Sequence, residues 1–334
     1  MTDQSWLGFF PPRLRAILLS QPPELRAAWQ EIRLRPGRPV LVVTPSGDDW
    51  LEPCGAARGA GPVTGEDLQA AFQLMTQHSV YAVEEELRRG FITLPGGHRL
   101  GFCGHAVLEE GRIRLLRQIC FLNLRVARAV PGAGRAVLPA LVSRGRLLST
   151  LILSPPRGGK TTLLRDLVRL ASTGAPELAM PGRQVSLVDE RSEVAGSFLG
   201  QPQLDVGPRT DVLDGAPKAE GMLLMLRAMS PEILATDELG RPEDAEALAE
   251  AAKAGVAVLA TAHAAGPEDA RRRPTLAKLL EEDYFQRLVV LDASRGPGTV
   301  GAVYQRAAER EGGVSCSAWW EPCSSWPARA VSGI

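Results

Sequence analysis

The chain has 334 residues, and its 38 Lys and Arg residues balance 38 Asp and Glu residues, so the formal net charge is zero. This length accommodates two domains of ordinary size. The neutral balance excludes a general attraction for nucleic acid or anionic lipid. Five cysteines without CxxC spacing favour reduced thiols and a cytoplasmic protein. No segment approaches the roughly 18 apolar residues of a membrane-spanning helix, so we expect any membrane role to come through partners.

Residues 1–130 are predicted to form a small α+β domain. Residues 38–47 have the pattern of a strand that runs into a turn. Residues 64–90 have helical spacing of apolar side chains, and Thr64 is placed to cap the start of that helix. Residues 90–116 alternate apolar with polar side chains between glycines, which indicates hairpins.

A different pattern begins at residue 147 and predicts a second domain over 147–305. Four apolar runs, TLILSPP, VSLVDER, EILATDE and VAVLATAHA, alternate with helical segments at 161–171, 218–229 and 243–254. Runs without a polar face are typical of parallel strands that helices cover on both faces. Ligands of such sheets collect at the carboxyl ends of the strands, so the polar residues that end each run are the candidate site.

Two segments lack this organisation. Residues 131–146 begin with a small, Pro- and Gly-rich stretch, which predicts a linker between the two domains. Residues 306–334 combine tryptophans with Ser, Pro and Gly, which predicts an irregular tail.

The first run leads into SPPRGGKT at residues 154–161, which matches the phosphate-binding loop pattern G-x-x-x-x-G-K-[ST] except at its first position. Glycines let backbone N–H groups turn toward phosphate oxygens, and the following helix adds its positive N-terminal end. In such a loop Lys160 reaches the β and γ phosphates, and the hydroxyl of Thr161 binds Mg²⁺. A serine at position 154 costs on the order of 1 kcal/mol if its φ is positive, which an otherwise intact loop tolerates.

A Gly/Pro turn with an incidental lysine is the alternative, but strand, loop, GKTT and helix follow one another in the order that a phosphate loop needs. The residues predicted to bind the nucleotide in this segment are Ser154, Pro155, Pro156, Arg157, Gly158, Gly159, Lys160, Thr161 and Thr162.

Two other runs end in pairs of carboxylates. Asp237 is predicted to hold Mg²⁺ through water, and Glu238 to orient or deprotonate the attacking water. Asp189 and Glu190 form a second acidic group, with Asp189 as a further metal ligand and Glu190 as a competing base. The alternatives are solvated carboxylates at a strand end and, for the second pair, a structural salt bridge.

The fourth run ends in Thr261 and His263, which can report whether the γ phosphate is present; a purely structural histidine is the alternative. The polar loop 205–221 contains Arg209. Arg209 and Arg241 are of the type that crosses to the nucleotide of a neighbouring subunit as an arginine finger. Solvated loop arginines are the alternative.

Together these motifs resemble the stage III sporulation protein AA family of endospore-forming bacteria, which is related to the ATPases of type II and type IV secretion and pilus systems. The resemblance covers roughly residues 25–300. It depends on EIRLRPGRP, GFITLPGGHRLGFCG and LNLRVARAV in the first part, and on PPRGGKTTLLRD, VDERSEVAG, ILATDELGR and ATAHA in the second. It implies a RecA-like P-loop ATPase core with a mainly parallel sheet, ATP and Mg²⁺ as cofactors, and a homo-oligomeric, hexameric ring.

The resemblance also implies roles for individual residues. In secretion ATPases an acidic box, the Walker B carboxylates and a histidine box surround the nucleotide. The corresponding positions here are Asp189 and Glu190, Asp237 and Glu238, and Thr261 and His263. Arginines of the N-terminal domain reach the phosphates in such relatives, which makes Arg125 and Arg128 candidates.

The function that these observations predict is a Mg²⁺-dependent ATPase that powers or gates a secretion-like channel during endospore formation. The family implies a mother-cell protein that docks on membrane-embedded stage III sporulation channel proteins. The alternative is a nucleotide-gated assembly scaffold with little turnover. A nucleic-acid-dependent ATPase is disfavoured by the neutral charge and by the lack of a strip of aromatic and basic side chains. The choice between Glu190 and Glu238 as the base stays open.

Overall fold

The structure is a computed structural model that describes residues 4–51, 61–76, 90–282, 284–292, 294, 296–307 and 320–326. The chain divides into two compact units. Unit 1 comprises residues 1–128 together with 196–203, and unit 2 comprises residues 129–195 and 204–334. From the sequence, residues 196–203 are predicted to belong to the second domain, whereas the structure groups this segment with unit 1. There the side-chain oxygen of Gln203 accepts a hydrogen bond from the Gly96 amide (3.0 Å).

In the described part of unit 1, six strands form an antiparallel sheet in the order β3-β2-β1-β6-β5-β4. The strands are β1 Glu31–Leu34, β2 Val40–Thr44, β3 Gly47–Leu51, β4 Phe91–Thr93, β5 Arg99–Glu109 and β6 Arg112–Arg125. The helices are α1 Pro12–Leu19, α2 Pro23–Ala28 and α3 Gly65–Met75, with short 3-10 turns at Ser5–Phe9 and Pro95–Gly97.

The elements predicted in unit 1 are confirmed wherever the structure describes them. The strand predicted over 38–47 is β2, and the predicted hairpins join β4 to β5 and β5 to β6. Thr64 caps α3 as predicted, since its hydroxyl accepts from the amide of Asp67 (3.1 Å) and its own amide donates to the Asp67 carboxylate (2.9 Å). The rest of the predicted helix, residues 77–89, lies outside the described residues.

In the described part of unit 2, eight strands form a mixed sheet in the order β13-β12-β14-β15-β9-β16-β17-β18. Neighbours from β13 to β16 are parallel, and the last three strands pair antiparallel. The strands of this sheet are β9 Thr150–Ser154, β12 Val185–Asp189, β13 Thr210–Asp214, β14 Ile233–Thr236, β15 Ala257–His263, β16 Arg287–Asp292, β17 Thr299–Arg306 and β18 Trp320–Pro322. Two separate antiparallel pairs are formed by β7 Val142–Ser143 with β8 Arg146–Leu147, and by β10 Gly174–Ala175 with β11 Met180–Pro181.

Helices cover this sheet. They are α4 Leu138–Leu141, α5 Lys160–Thr173, α6 Lys218–Met229, α7 Pro242–Lys253, α8 Pro267–Arg271 and α9 Pro274–Glu281, with a 3-10 turn at Pro176–Leu178. Three of them, α5, α6 and α7, follow the helical segments predicted at 161–171, 218–229 and 243–254. None of the helices in the described part of the chain combines the length and the apolar character that a bilayer crossing requires.

The core of unit 2 explains why its strands have no polar face. Every residue of β9, β12 and β14 is buried, and successive side chains enter two hydrophobic clusters on opposite faces of the sheet. Ile152 of β9 packs with the leucines of α5, whereas Leu151 and Leu153 pack with residues of α6, α7 and α9. The predicted α/β class with a mainly parallel sheet is therefore confirmed.

Three segments differ from the expectation. The polar loop at 205–221 contains β13, an edge strand of sequence TDVLD whose residues are all half-buried and show no alternation of apolar with polar side chains, which makes it a weak strand signal. The linker predicted at 131–146 contains α4 and most of a short hairpin formed by β7 and β8. This segment is attached to α5, because the Asp166 carboxylate accepts hydrogen bonds from the amides of Gly132 (3.0 Å) and Gly134 (2.7 Å). The tail predicted as irregular contributes β18, which Trp320 anchors by its burial.

Candidate functional site

The segment SPPRGGKT joins the end of β9 to the start of α5. Ser154 is the last residue of the strand, and the left-handed residues of the loop are Arg157 (φ 62°) and Gly159 (φ 90°). The backbone cost expected for a serine at the first position therefore does not arise, because positive φ falls elsewhere. The Ser154 hydroxyl instead donates to the carbonyl of Pro155 (2.8 Å). The serine that replaces the first glycine of the motif therefore adds no backbone strain.

The two glycines before the lysine are required by close approach. A Cβ atom at Gly158 would overlap the hydroxyl of Ser154, and one at Gly159 would lie 2.5 Å from the amide nitrogen of Gly298. That amide donates to the carbonyl of Gly158 (2.8 Å) and ties the loop to the connection between β16 and β17. Thr161 and Thr162 follow, half-buried, in the first turn of α5. The conformation of the loop is therefore fixed by Ser154 at its start and by the hydrogen bond from Gly298.

Lys160 is buried, and its ammonium nitrogen lies 3.0 Å from Nδ1 of His263. The pairing of β15 with β9 explains this contact, because His263 is in register with Ser154. Burial lowers the pKa of Lys160, and the carboxylates of Glu238 and Glu193 act in the opposite direction. The structure thus brings the predicted lysine and histidine together at the carboxyl ends of neighbouring strands.

Glu238 stands next to this pair, beyond the end of β14. Its carboxylate oxygens lie 3.6 Å from Nε2 of His263 and 3.5 Å from the guanidinium of Arg191. Its backbone is left-handed (φ 43°), a conformation that costs energy in any residue with a side chain. The result is a half-exposed carboxylate held by a strained turn next to the phosphate loop.

Thr261 has a different role from the one predicted. Its hydroxyl accepts a hydrogen bond from the amide of Glu238 (2.8 Å), its carbonyl accepts one from the amide of Leu239 (2.7 Å), and its side chain is 1% exposed. A buried hydroxyl with this partner does not match a sensor that faces the nucleotide. The expectation is therefore corrected: Thr261 holds the turn that presents Glu238.

Asp237 is buried at the end of β14, and its Oδ1 atom accepts no hydrogen bond. Burial raises the pKa of Asp237 to about 6, against the opposing effect of the Lys218 ammonium, while the carboxylates of Glu193 and Glu238 raise it further. A buried carboxylate oxygen without a hydrogen bond is costly unless a ligand satisfies it. In the described part of the chain no three His, Cys, Asp or Glu side chains form a metal site by themselves. These facts fit a Mg²⁺ ion held largely by phosphates, a hydroxyl and water.

Asp189 does not fit its predicted role as a metal ligand. It is fully buried, and its two oxygens accept hydrogen bonds from the amides of Glu193 (2.9 Å), Val194 (2.9 Å) and Ala195 (2.8 Å). Burial raises the pKa of Asp189 to about 7, although these amides lower it. The expectation is corrected because the loop after β12 folds back over the carboxylate and uses both of its oxygens.

Glu190 points toward two cations. Its oxygens lie 3.6 Å from the ammonium of Lys218 and 3.4 Å from the guanidinium of Arg241. Both carboxylates thus contact cations, but Glu238 also lies next to His263, the partner of Lys160. The structure places Arg241 in an ion pair within its own chain.

A cleft of about 380 Å³ opens at this acidic group. The ionisable residues that line it are Glu190, Arg191, Lys218, Asp237, Glu238, Arg241, His263 and Arg273. Sequence reasoning assigned no role to Lys218, which is buried among these acids. The available signal was a lysine directly after a proline, at the first position of a predicted helix in unit 2.

Within its own chain, Arg209 lies at the opposite edge of the sheet from the phosphate loop. It precedes β13 and donates to the carbonyl of Ser172 (2.9 Å), near the last residue of α5, whereas the phosphate loop is at the first. The amino ends of parallel strands form the opposite edge of the sheet from their carboxyl ends. Arg209 therefore does not serve the nucleotide site of its own chain, and its role as an arginine finger for a neighbouring subunit stays a prediction.

The two arginines proposed from unit 1 differ in their partners. Arg125 is half-exposed at the end of β6, with its guanidinium 3.7 Å from the carboxylate of Glu31. Arg128 donates to the carbonyls of Ala27 and Trp29. Arg125 is therefore the more accessible of the two within unit 1.

The chain is similar to proteins of one named family. The family model described as sporulation stage III, protein AA, matches residues 4–311. The stage III sporulation protein AA of Bacillus subtilis (strain 168) is 41% identical over 296 residues, which cover 89% of this chain and 93% of that protein.

Two solved structures, one of an ATPase and one of a pilus motor, share this architecture. The ATPase DotB of Legionella pneumophila aligns with a TM-score of 0.52 at 15% identity, over 83% of this chain and 73% of DotB. The pilus retraction motor PilT with bound ADP aligns with a TM-score of 0.51 at 14% identity, over 80% of this chain and 76% of PilT. At these identities the likeness establishes the fold, and it confirms the expected RecA-like architecture.

Proposed function

This chain belongs to the stage III sporulation protein AA family, and from that premise we propose that it is a Mg²⁺-dependent ATPase that powers or gates a secretion-like channel during endospore formation. The observation that carries the proposal is the convergence of Lys160, His263 and Glu238 at the carboxyl ends of β9, β15 and β14. His263 thus lies between Lys160, the proposed phosphate-binding cation, and Glu238, the candidate base.

Binding begins at the loop. The amides of the glycine-rich segment and the N-terminal end of α5 attract the phosphates, and Lys160 exchanges its hydrogen bond to His263 for a phosphate oxygen. The hydroxyl of Thr161 and, through water, the carboxylate of Asp237 would hold Mg²⁺. When bound, Mg²⁺ neutralises charge on the phosphate oxygens.

Hydrolysis then depends on Glu238, which orients and deprotonates water. Its turn is held by Thr261, so the carboxylate is fixed before the nucleotide arrives. A protonated Lys160 donates to Nδ1 of His263, which leaves the ring proton on Nε2, the nitrogen that faces Glu238. Once Lys160 turns to the phosphate, His263 is released, and in this way it reports nucleotide binding to the base.

We extend the proposal to assembly. A hexameric ring would place the nucleotide between subunits, with Arg125 as the arginine of unit 1 that reaches the phosphates. The ring would dock on membrane-embedded stage III sporulation channel proteins from the mother-cell cytoplasm. The family membership and the secretion-type fold support this step.

Phosphate release by the wild type and by Glu238→Gln tests the function, with Glu243→Gln, exposed on α7, as the matched control. Loss of a general base is expected to lower turnover by ~10²–10⁴-fold without loss of ATP binding. Mass measurements in solution with and without ATP and the partner's cytoplasmic domain test the ring. Absence of Glu238-dependent turnover, even with that domain present, would instead support a nucleotide-gated scaffold. Stimulation by single-stranded DNA would support a nucleic-acid-dependent ATPase.

A further inference from the structure

Lys218 is the first residue of α6 and is buried at the acidic side of the site. Its ammonium nitrogen donates a hydrogen bond to the carbonyl oxygen of Glu238 (2.7 Å). The turn that carries Glu238 is therefore held at two points, since Thr261 accepts from the amide of the same residue. These two bonds hold the amide and the carbonyl of a residue with strained, left-handed backbone.

The same ammonium lies between two carboxylates of the site. Its distance is 3.6 Å to an oxygen of Glu190 and 3.8 Å to Oδ1 of Asp237, the buried oxygen without a hydrogen bond. Lys218 thus contacts the ends of two strands, β12 through Glu190 and β14 through Asp237 and Glu238. It balances charge in a cluster where close carboxylates would otherwise repel one another.

This placement of a lysine is unfavourable without those partners. A cation in the first turn of a helix opposes the helix dipole, and burial removes the ammonium from water. Packing of the aliphatic part of the Lys218 side chain does not require the charge of its ammonium group. The position is therefore stabilised by the three oxygen atoms that the ammonium faces, which belong to Glu190, Asp237 and Glu238.

We propose that Lys218 is a positioning residue that fixes the Glu238 turn and neutralises Glu190 and Asp237 until a divalent cation arrives. This inference rests on the proposed function in assigning Glu238 as the base. Lys218 itself transfers no proton and makes no contact with the phosphate loop in this role. Its effect is exerted through the geometry of the carboxylates.

The kinetic test compares Lys218→Met, which keeps the stem, with Lys218→Arg, which keeps the charge. Lys253→Met, on the exposed face of α7, is the control. The expected result for Lys218→Met is a fall in kcat on the order of 100-fold with little change in the KM for ATP. Lys218→Arg is expected to recover part of kcat. A Met variant with wild-type kcat, or one that loses ATP affinity at unchanged kcat, would overturn the proposal.

A second readout needs no turnover. In the absence of nucleotide, millimolar MgCl₂ is expected to raise the Tm of Lys218→Met by ~2–4 °C more than that of the wild type, with NaCl at equal ionic strength as the reference. The reason is that the ion replaces the missing ammonium. Equal shifts in both proteins would contradict the proposal even if the wild type hydrolyses no ATP, so the two failures are distinguishable.

A double variant keeps the test valid if Lys218→Met does not fold. If Lys218→Met does not fold, combining it with Glu190→Gln removes one unbalanced carboxylate and is expected to restore folding. The magnesium-dependent shift is then measured on the double variant. A double variant that stays unfolded would show that the unbalanced carboxylate is not what destabilises Lys218→Met, and would overturn the assignment of Lys218 as a charge-balancing residue.

Discussion

The ammonium nitrogen of Lys160 and the Nδ1 atom of His263 are 3.0 Å apart, at the carboxyl ends of the adjacent parallel strands β9 and β15. This contact joins the phosphate-binding side of the site to its acidic side, because the other ring nitrogen of His263 faces Glu238. Under the proposed function, a nucleotide phosphate takes the place of His263 as a partner of the ammonium. That exchange would link phosphate binding to the base.

The loop predicts a coupling between Ser154 and Gly158. A methyl group at Gly158 would overlap the Ser154 hydroxyl, so we expect Gly158→Ala to weaken ATP binding by roughly tenfold or more. In a Ser154→Gly background the hydroxyl is gone, and the same substitution should cost less. Affinities from calorimetric titration of the two single variants and the double variant give the coupling, which we expect to be at least about 1 kcal/mol.

Ser154→Gly alone is the control for this cycle. Ser154 has extended strand backbone, so replacing it should leave ATP affinity within a few-fold of the wild type. Additive effects of the two substitutions, or a large gain in affinity from Ser154→Gly, would show that the loop does not have the conformation described.

Thr261 is expected to act through Glu238. Thr261→Val keeps the shape of the side chain but leaves the amide of Glu238 without its acceptor, at a cost of about 1–3 kcal/mol in local stability. We expect kcat to fall by ~10–100-fold because the base is displaced, while ATP affinity changes little. Thr261→Ser, which keeps the hydroxyl, should stay close to wild type. Loss of ATP affinity in the valine variant with unchanged kcat would instead indicate direct contact with the nucleotide.

Asp189 predicts a dependence of stability on pH. Burial raises the pKa of Asp189 from 3.8 to about 7. Between these values the folded protein retains a proton that the unfolded chain releases, so its contribution makes the free energy of unfolding fall as pH rises from about 4 to about 7. Asp189→Asn has no proton to release there, and we expect its free energy of unfolding to fall less steeply, by up to about 1.4 kcal/mol per pH unit.

Denaturant unfolding at several pH values measures how steeply the free energy of unfolding changes with pH. The asparagine side chain also changes the hydrogen bonds at this position, but that effect shifts the free energy by a constant and leaves the slope unaffected. Asp48→Asn, exposed in unit 1, is the control and should leave the slope unchanged. Parallel curves for the wild type and Asp189→Asn would mean that the buried carboxylate keeps an ordinary pKa.

Much of unit 2 could be predicted from the sequence because its signals are local. The four strands and the leucine-lined helix α5 of unit 2, like the capped helix α3 of unit 1, follow from patterns within about ten residues of each other. The meeting of Lys160 with His263 also followed, since parallel strands bring their carboxyl ends to one edge. The cost that a positive φ would carry at the first loop position does not arise, because the strand continues through Ser154 and the turn occurs at Arg157.

The misplaced residues share one cause, which is that a residue type does not reveal its partners. Asp189 follows an apolar run as Asp237 does, yet the loop after β12 returns three amides to Asp189 and none to Oδ1 of Asp237. Arg209 lies in a polar loop, but β13 joins the sheet and carries its side chain to the edge opposite the phosphate loop. The burial of Lys218 depends on the packing of α6, which no local pattern specifies.

The central claim is that the loop from Ser154 to Thr161 binds the phosphates of a nucleotide through Lys160. Calorimetric titration of MgATP into the wild type, Lys160→Ala and Lys253→Ala tests it most directly, with circular dichroism spectra to confirm that all three are folded. We expect measurable binding in the wild type and in Lys253→Ala, whose lysine is exposed on α7, and no measurable binding in Lys160→Ala. A folded Lys160→Ala variant that binds MgATP with wild-type affinity would contradict the account.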